Sequence, residues 1–360
     1  MTQAGNSCDI FCRVVDNFGD IGVAWRLARQ LATEYRLIVR LFVNDLDSFR
    51  KLEPAINILS GRQEICEVLV AHWDESLTAH PAALVIEAFA VNLPEHYVTA
   101  MAKMVVPAVW INLEYLSAES WVGAHHLLPS PHPRLPLTKF FFFPGFHPET
   151  GGLIRERNLL AARDAETSSV DVNYLHIFLF GYRNGAADAL VAEMSKTEAR
   201  VRCTIPEGAL ANMFEGRIRL PQGLMIETIP FTSQRTFDAL LWRHDVLFVR
   251  GEDSFVRAQW AAKPFIWQAY PQSGNAHWVK LNAFLTLYCD GLEHEAASAL
   301  RELWRAWNGE DRANIGAAWE RWMRHLPAFQ VHAKAWSKKI TQMPDLAANL
   351  LSFYQKTTKI

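Results

Sequence analysis

Apolar residues return along this chain in two rhythms. Short runs rich in Val, Ile and Phe alternate with longer stretches in which apolar side chains recur every three or four residues. The first such pair sets the frame. Ile10-Phe11-Cys12-Arg13-Val14-Val15 is apolar and β-branched and reads as a buried strand. Val23, Leu27 and Leu31, with Ala24 and Ala28, line one face of a helix. Between them lies Asp16-Asn17-Phe18-Gly19-Asp20-Ile21-Gly22. Strand, glycine-containing loop and helix are how a doubly wound α/β domain opens.

The alternation continues. Residues 37–43, 65–70, 83–89 and 105–113 read as further strands, with several crossover-length segments between them, so the sheet is expected to be mostly parallel. Residues 112–152 break the rhythm with prolines and adjacent aromatics, and read as a long ordered irregular segment lining a cleft wall. Residues 161–172 are polar and turn-rich, and mark a domain boundary. The α/β rhythm then restarts, with strands at 174–180, 201–205, 224–229, 246–249 and 264–268 and helices at 237–242 and up to Trp260. Helices follow Glu293. The pattern therefore predicts a Rossmann-like domain at 1–165, completed by a C-terminal helix at about 344–360, and a second at 172–343. Two tandem α/β domains without a G-x-G-x-x-G describe the GT-B glycosyltransferase architecture, two Rossmann-like domains facing each other across a cleft.

Composition narrows the partners. Of 360 residues half are hydrophobic, and 36 basic against 38 acidic residues leave a net charge of −2. That balance does not mark a nucleic-acid or membrane-surface binder. Five scattered cysteines, with no zinc spacing, fit a reduced cytoplasmic protein without a structural metal. No basic-then-apolar leader and no apolar run of membrane-spanning length is present. The pair His125-His126 has no third ligand in sequence and does not suggest a metal site.

Two stretches carry candidate chemistry. In the first loop, aspartates stand where a dinucleotide fingerprint brings phosphate close, and two carboxylates repel phosphate. The positive end of the following helix favours negative side chains there. Asp16 and Asp20 are thus placed to take a proton or hold a cation. The bland alternative makes Asp20 a helix N-cap and Asp16 a turn residue. Glu87, near the end of an apolar strand, is expected to be satisfied by loop amides. The second stretch, Arg250-Gly251-Glu252-Asp253-Ser254-Phe255, sits where a strand meets a helix start, which is an anion site. Arg250 adds a fixed cation and Ser254 a hydroxyl, while Glu252 could reach a sugar or ribose hydroxyl; the alternative is a helix cap with a surface arginine. Phe180 and Tyr182 follow a strand, and Gln234 and Phe237 flank a loop-to-helix junction, positions from which aromatic rings can stack on a base.

Longer motifs carry a resemblance. The segments starting at Asp16 (DNFGDIGV), Asn112 (NLEYLSAE), Phe141 (FFFPGF, followed by TGG) and Arg250 (RGEDSFVRAQW) resemble the protein-arginine rhamnosyltransferase family that modifies bacterial translation elongation factor P. The match spans nearly the whole chain and is weakest over its last 90 residues. It implies an inverting enzyme that moves rhamnose from dTDP-β-L-rhamnose to one arginine of elongation factor P, with no cofactor. The family's base matches Asp20, with Asp16 nearby and Glu252 in the catalytic set; Asn17, Phe18 and Gly19 fall in its substrate-binding loop. Its nucleotide-holding residues match Phe180, Tyr182, Gln234, Phe237, Arg250, Glu252, Asp253, Ser254 and Tyr270. The same architecture also serves epimerases and glycosyltransferases with small or lipid acceptors, and a non-catalytic nucleotide-sugar-binding protein would share the donor site.

Overall fold

A computed structural model describes residues 6–15, 18–167, 171–214, 223–310 and 312–358. The chain forms two compact units: Met1–Arg157 with Met343–Ile360, and Asn158–Gln342.

Unit 1 is built on eight strands: β1 Ser7–Cys12, β2 Ile38–Val43, β3 Arg62–Ile65, β4 Val68–His72, β5 Leu84–Ala88, β6 Val109–Leu113, β7 Pro129–Pro131 and β8 Thr138–Phe142. They lie in the order β3-β4-β2-β1-β5-β6-β8-β7. The six inner strands run parallel, and β3 and β7 pair antiparallel at the two edges. From β1 the chain moves outward to β2, then returns to lay β5 on β1's other side. This is the topological switch point, where loops at the carboxyl ends of neighbouring strands diverge and leave a crevice. The register Cys12↔Val43 and Cys12↔Ala88 brings those ends level. The helix Gly19–Thr33 follows β1 directly and is buried through Ile21, Ala24, Trp25, Leu27, Ala28 and Leu31. A polar post stands inside the apolar sheet: fully buried Asp9 receives both Arg40 Nε and Nη2 at 2.6 Å and the Ala82 amide at 2.9 Å.

Two expectations are corrected here. Residues 65–70 are not one strand; β3 and β4 form a hairpin turning at Cys66 and Glu67, both in left-handed backbone with φ of 51° and 63°. The segment 112–152 is not wholly irregular, because β7 and β8 extend the sheet through it. Its Phe142 is buried, and Phe140 packs edge-on to Phe353 of the closing helix Leu346–Thr358 at 5.0 Å.

Unit 2 carries β9 Tyr174–Leu179, β10 Arg200–Pro206, β11 Leu224–Ile229, β12 Val246–Arg250 and β13 Phe265–Gln268. The order is β11-β10-β9-β12-β13, all parallel. Its switch point falls between β9 and β12. Tryptophan fills much of the core: Trp260, Trp304, Trp307, Trp319 and Trp322 are all but fully buried. Among the described residues, no helix is long and apolar enough to cross a membrane.

Candidate active-site residues

In unit 1 the candidate site sits at the switch point. Asp16 and Asn17 lie outside the described residues; Phe18, Gly19 and Asp20 are described. The N-cap position of the first helix is Phe18, whose side chain makes no capping bond, and the Gly22 amide donates to the Phe18 carbonyl at 2.9 Å. Asp20 is therefore already inside the first turn and is not the cap. Its side chain is 1 % exposed. Oδ2 accepts the Val15 amide at 2.9 Å, and Oδ1 accepts the Tyr115 hydroxyl at 3.1 Å. The helix start adds its positive end to these donors. The carboxylate's charge reaches Cys12 at the end of β1, where burial first and Asp20 second push the thiol well above its ordinary range.

Tyr115 had no role in the sequence reading, although it lies within the motif at the end of β6. Its ring stacks on Phe89 with centroids 4.4 Å apart and planes 17° from parallel. Phe89 and the next residue, Ala90, both take left-handed backbone, with φ of 64° and 56°. Non-glycine residues rarely do so, and successive examples beside a sheet edge mark a backbone held against its preference. Glu87, three positions from Ala90, takes the loop amide of Leu93, as expected, and also pairs with Lys139 of β8 at 2.8 Å across β6. Burial raises its carboxyl above the ordinary glutamate range, partly countered by Lys139. His125 and His126 are each tied to backbone: His125 Nδ1 pairs with the Trp121 carbonyl at 2.8 Å, and His126 Nδ1 accepts the Phe143 amide at 3.1 Å. Desolvation lowers His126 to about 4, so it is neutral near pH 7.

In unit 2 the residues after β9 and β12 converge. The Arg250 guanidinium lies 4.6 Å from the Phe180 ring centre and 4.5 Å from that of Tyr182. A guanidinium stacks well on aromatic faces while keeping its edge for anions. Tyr270, 39 % exposed, meets Tyr182 edge-on at 5.5 Å. Phe237 is buried and packs on both Phe178 and Phe180 at 5.8 Å, so its evident role is to back Phe180. Glu252 occupies the N-cap position of the helix Asp253–Ala261, directly after Gly251 at φ 60°. Asp253 points toward buried Gln234, whose Nε2 donates to Oδ2 at 3.3 Å.

Ser254 differs from its expected role. Its hydroxyl donates to the Arg250 carbonyl at 2.5 Å and accepts the Arg250 amide at 3.0 Å, which ties the helix to the end of β12. A residue missed in the sequence does similar work from β13. Gln268, 6 % exposed, accepts the Tyr182 amide on Oε1 at 2.8 Å. No local pattern announces it, since its partner is 86 positions away. Among the described residues, no group of three or more His, Cys, Asp or Glu is arranged to hold a metal ion.

The family described as Elongation-Factor P (EF-P) rhamnosyltransferase EarP matches residues 8–355. A protein-arginine rhamnosyltransferase of Pseudomonas putida is 43 % identical, covering 97 % of this chain and 98 % of the relative. One from Neisseria meningitidis serogroup B is 35 % identical, covering 98 % of both. A solved structure concerned with EarP-mediated arginine glycosylation of translation elongation factor EF-P superposes with a TM-score of 0.68 at 33 % identity, over 98 % of this chain and 99 % of that one. Acinetobacter baumannii MurG superposes with a TM-score of 0.53 at 12 % identity, over 98 % and 99 % of the two chains, which is a likeness of fold.

Proposed function

Because the chain belongs to the elongation factor P rhamnosyltransferase family and has the GT-B glycosyltransferase fold, we propose that it moves L-rhamnose from dTDP-β-L-rhamnose to an arginine of elongation factor P. Asp20 serves as base in this reading. The observation that carries it is the Asp20 carboxylate, buried at the switch point of unit 1 and held by the Val15 amide and the Tyr115 hydroxyl.

The acceptor dictates the demands. A guanidinium is cationic up to a pKa above about 12, and its lone pairs are delocalised. A free aspartate is too weak to deprotonate it beforehand, so proton transfer accompanies or follows attack. One guanidinium nitrogen attacks the anomeric carbon as the bond from that carbon to the β-phosphate oxygen breaks. The bonding electrons leave with dTDP, the configuration inverts from β to α, and the nitrogen's proton passes to Asp20. Asp16, in the same loop, orients the cation. Glu252 joins the catalytic set from the donor side.

The donor falls to unit 2. Phe180, Tyr182 and Tyr270 offer faces for the base, with Phe237 and Gln234 behind them. Arg250 and the amides at the start of helix Asp253–Ala261 take the charge of the departing diphosphate. These are fixed positive groups in the chain itself, so the reading needs no cation from solution. Ser254 contributes by fastening Arg250 to the helix start. Asn17, Phe18 and Gly19, the three residues before Asp20 in sequence, join it in binding the acceptor in this reading.

The test mixes the protein with dTDP-rhamnose and elongation factor P in excess EDTA. The expected result is a mass gain of one deoxyhexose on a single arginine. No gain with or without added magnesium would remove this assignment; a gain that needs magnesium would remove its metal-free form.

A further inference from the structure

Asn112 lies at the end of β6, 2 % exposed, with its amide committed at both ends. Oδ1 accepts the Ala90 amide at 3.2 Å, and Nδ2 donates to Glu114 Oε1 at 2.5 Å. The first bond reaches the turn after β5, where Phe89 and Ala90 stand in left-handed backbone. The Phe89 amide is tied to the same strand end, donating to the Leu113 carbonyl at 2.7 Å. The second bond reaches the residue before Tyr115. Phe89 and Tyr115 then stack on each other, and the Tyr115 hydroxyl meets Asp20.

A buried amide that bridges two turns serves more than its own solvation. Left alone, a Phe-Ala pair would leave the left-handed region, which residues with a Cβ rarely adopt. The bonds from Asn112 and Leu113 hold it there, and the consequence is a Phe89 ring flat against Tyr115.

We infer that Asn112 is a positioning residue for the base. Its amide couples the β5 turn to the β6 turn, and the Phe89–Tyr115 stack carries that setting to the carboxylate of Asp20. The inference rests on the proposed role of Asp20. Among the described residues, Tyr115 on its Oδ1 side and Cys12 at the end of β1 are ionisable groups near that carboxylate, with Glu114 next to Tyr115 in the chain.

The experiment uses the full chain with dTDP-rhamnose and elongation factor P. It compares Asn112→Asp, Phe89→Leu, Tyr115→Phe and Asp20→Asn by kcat, KM for each substrate and dTDP affinity. Asn112→Asp keeps the acceptor for Ala90 and loses the donor to Glu114. Phe89→Leu leaves the buried amide intact and removes only the stack. Both are expected to lower kcat about 10- to 100-fold, the scale of a misplaced catalytic group. Donor KM and dTDP affinity should hold, since unit 2 is untouched. Tyr115→Phe, which keeps the ring and loses the hydroxyl, is expected to lower kcat with the same unchanged donor KM and dTDP affinity. Wild-type kcat in both Asn112→Asp and Phe89→Leu, or a fall in kcat matched by an equal loss of dTDP affinity, overturns the inference. Asp20→Asn separates the two readings: full turnover there removes the base and this inference together, whereas an inactive Asp20→Asn beside a normal Asn112→Asp and Phe89→Leu removes this inference alone.

Discussion

Arg250 has to satisfy two neighbours at once. Its charge belongs at the helix start, yet its plane is stacked within 4.6 Å of both Phe180 and Tyr182 ring centres. A lysine would keep the charge and lose both the stacking and the two-pronged grip on phosphate oxygens. Arg250→Ala is expected to weaken dTDP binding by about 1.5–3 kcal/mol, the usual worth of a hydrogen bond to a charged group, and Arg250→Lys by somewhat less. Calorimetry reads both, and unchanged affinity in the alanine variant removes the diphosphate assignment. Asp20→Asn is expected to keep dTDP affinity while turnover falls on the order of 100-fold or more, measured by the mass shift on elongation factor P. Both residues were candidates from sequence because each lies where a strand gives way to a helix, a local pattern: Arg250 ends β12, and Asp20 stands in the first turn after β1. Tyr115, Asn112 and Gln268 were not. Their partners lie tens of positions away, and only the parallel pairing of β5 with β6, and of β9 with β12 and β13, brings them together.

Among elements, the turn after β9 is a tight fit. A Cβ on Gly181 would stand 2.9 Å from Gln268 Oε1, 3.1 Å from Leu210 and 3.3 Å from the Trp307 ring. The Gln268 amide is the softest of the three, but moving it breaks its bond to the Tyr182 amide. Gly181→Ala is expected to cost about 1–3 kcal/mol as overpacking, seen as a lower melting temperature together with weaker dTDP binding. A variant with wild-type values for both would show that the turn has room. The ion pair of Glu87 on β5 with Lys139 on β8 supplies a pH test. Burial raises the folded-state carboxyl of Glu87 above its ordinary value. Its stabilising contribution is then full below the unfolded pKa, near 4.3 for a glutamate, and is lost as pH rises through the folded one. Glu87→Gln should therefore gain on the wild type as pH is raised from about 4 toward neutrality; denaturant midpoints across that range check it, and an opposite trend would mean that Lys139 dominates the site. Element boundaries were readable where apolar runs ended at glycine or aspartate. The β3–β4 hairpin was hidden because Cys66 and Glu67 hold left-handed backbone without the Asn-Gly signal that normally announces such a turn.

In the whole molecule, the second unit is an insertion in sequence. The chain leaves unit 1 after Arg157 and returns at Met343, so unit 1 is finished only when the last helix is made. The return is fastened at several points. The Leu346 amide donates to the Leu153 carbonyl at 3.0 Å, Asn349 Nδ2 to the Gly151 carbonyl at 3.0 Å, and Gln30 Nε2 to Asp345 Oδ1 at 3.1 Å. Gly152 permits the approach: with φ at 75°, a Cβ there would lie 2.4 Å from the Pro344 carbonyl oxygen. Leu346 and Leu350 are fully buried against unit 1. At about 1.5–3 kcal/mol each, those two side chains alone are worth roughly 3–6 kcal/mol, a large part of a domain's net stability. Removing residues 343–360 is thus expected to unfold unit 1 while unit 2, whose core contains none of them, stays folded. Calorimetry should then lose one unfolding transition and keep the other. If unit 2 holds the donor as proposed, dTDP binding should survive while transfer to elongation factor P disappears. Loss of dTDP binding in a truncated chain whose second transition is intact would place donor contacts in unit 1 and divide the labour between the units differently.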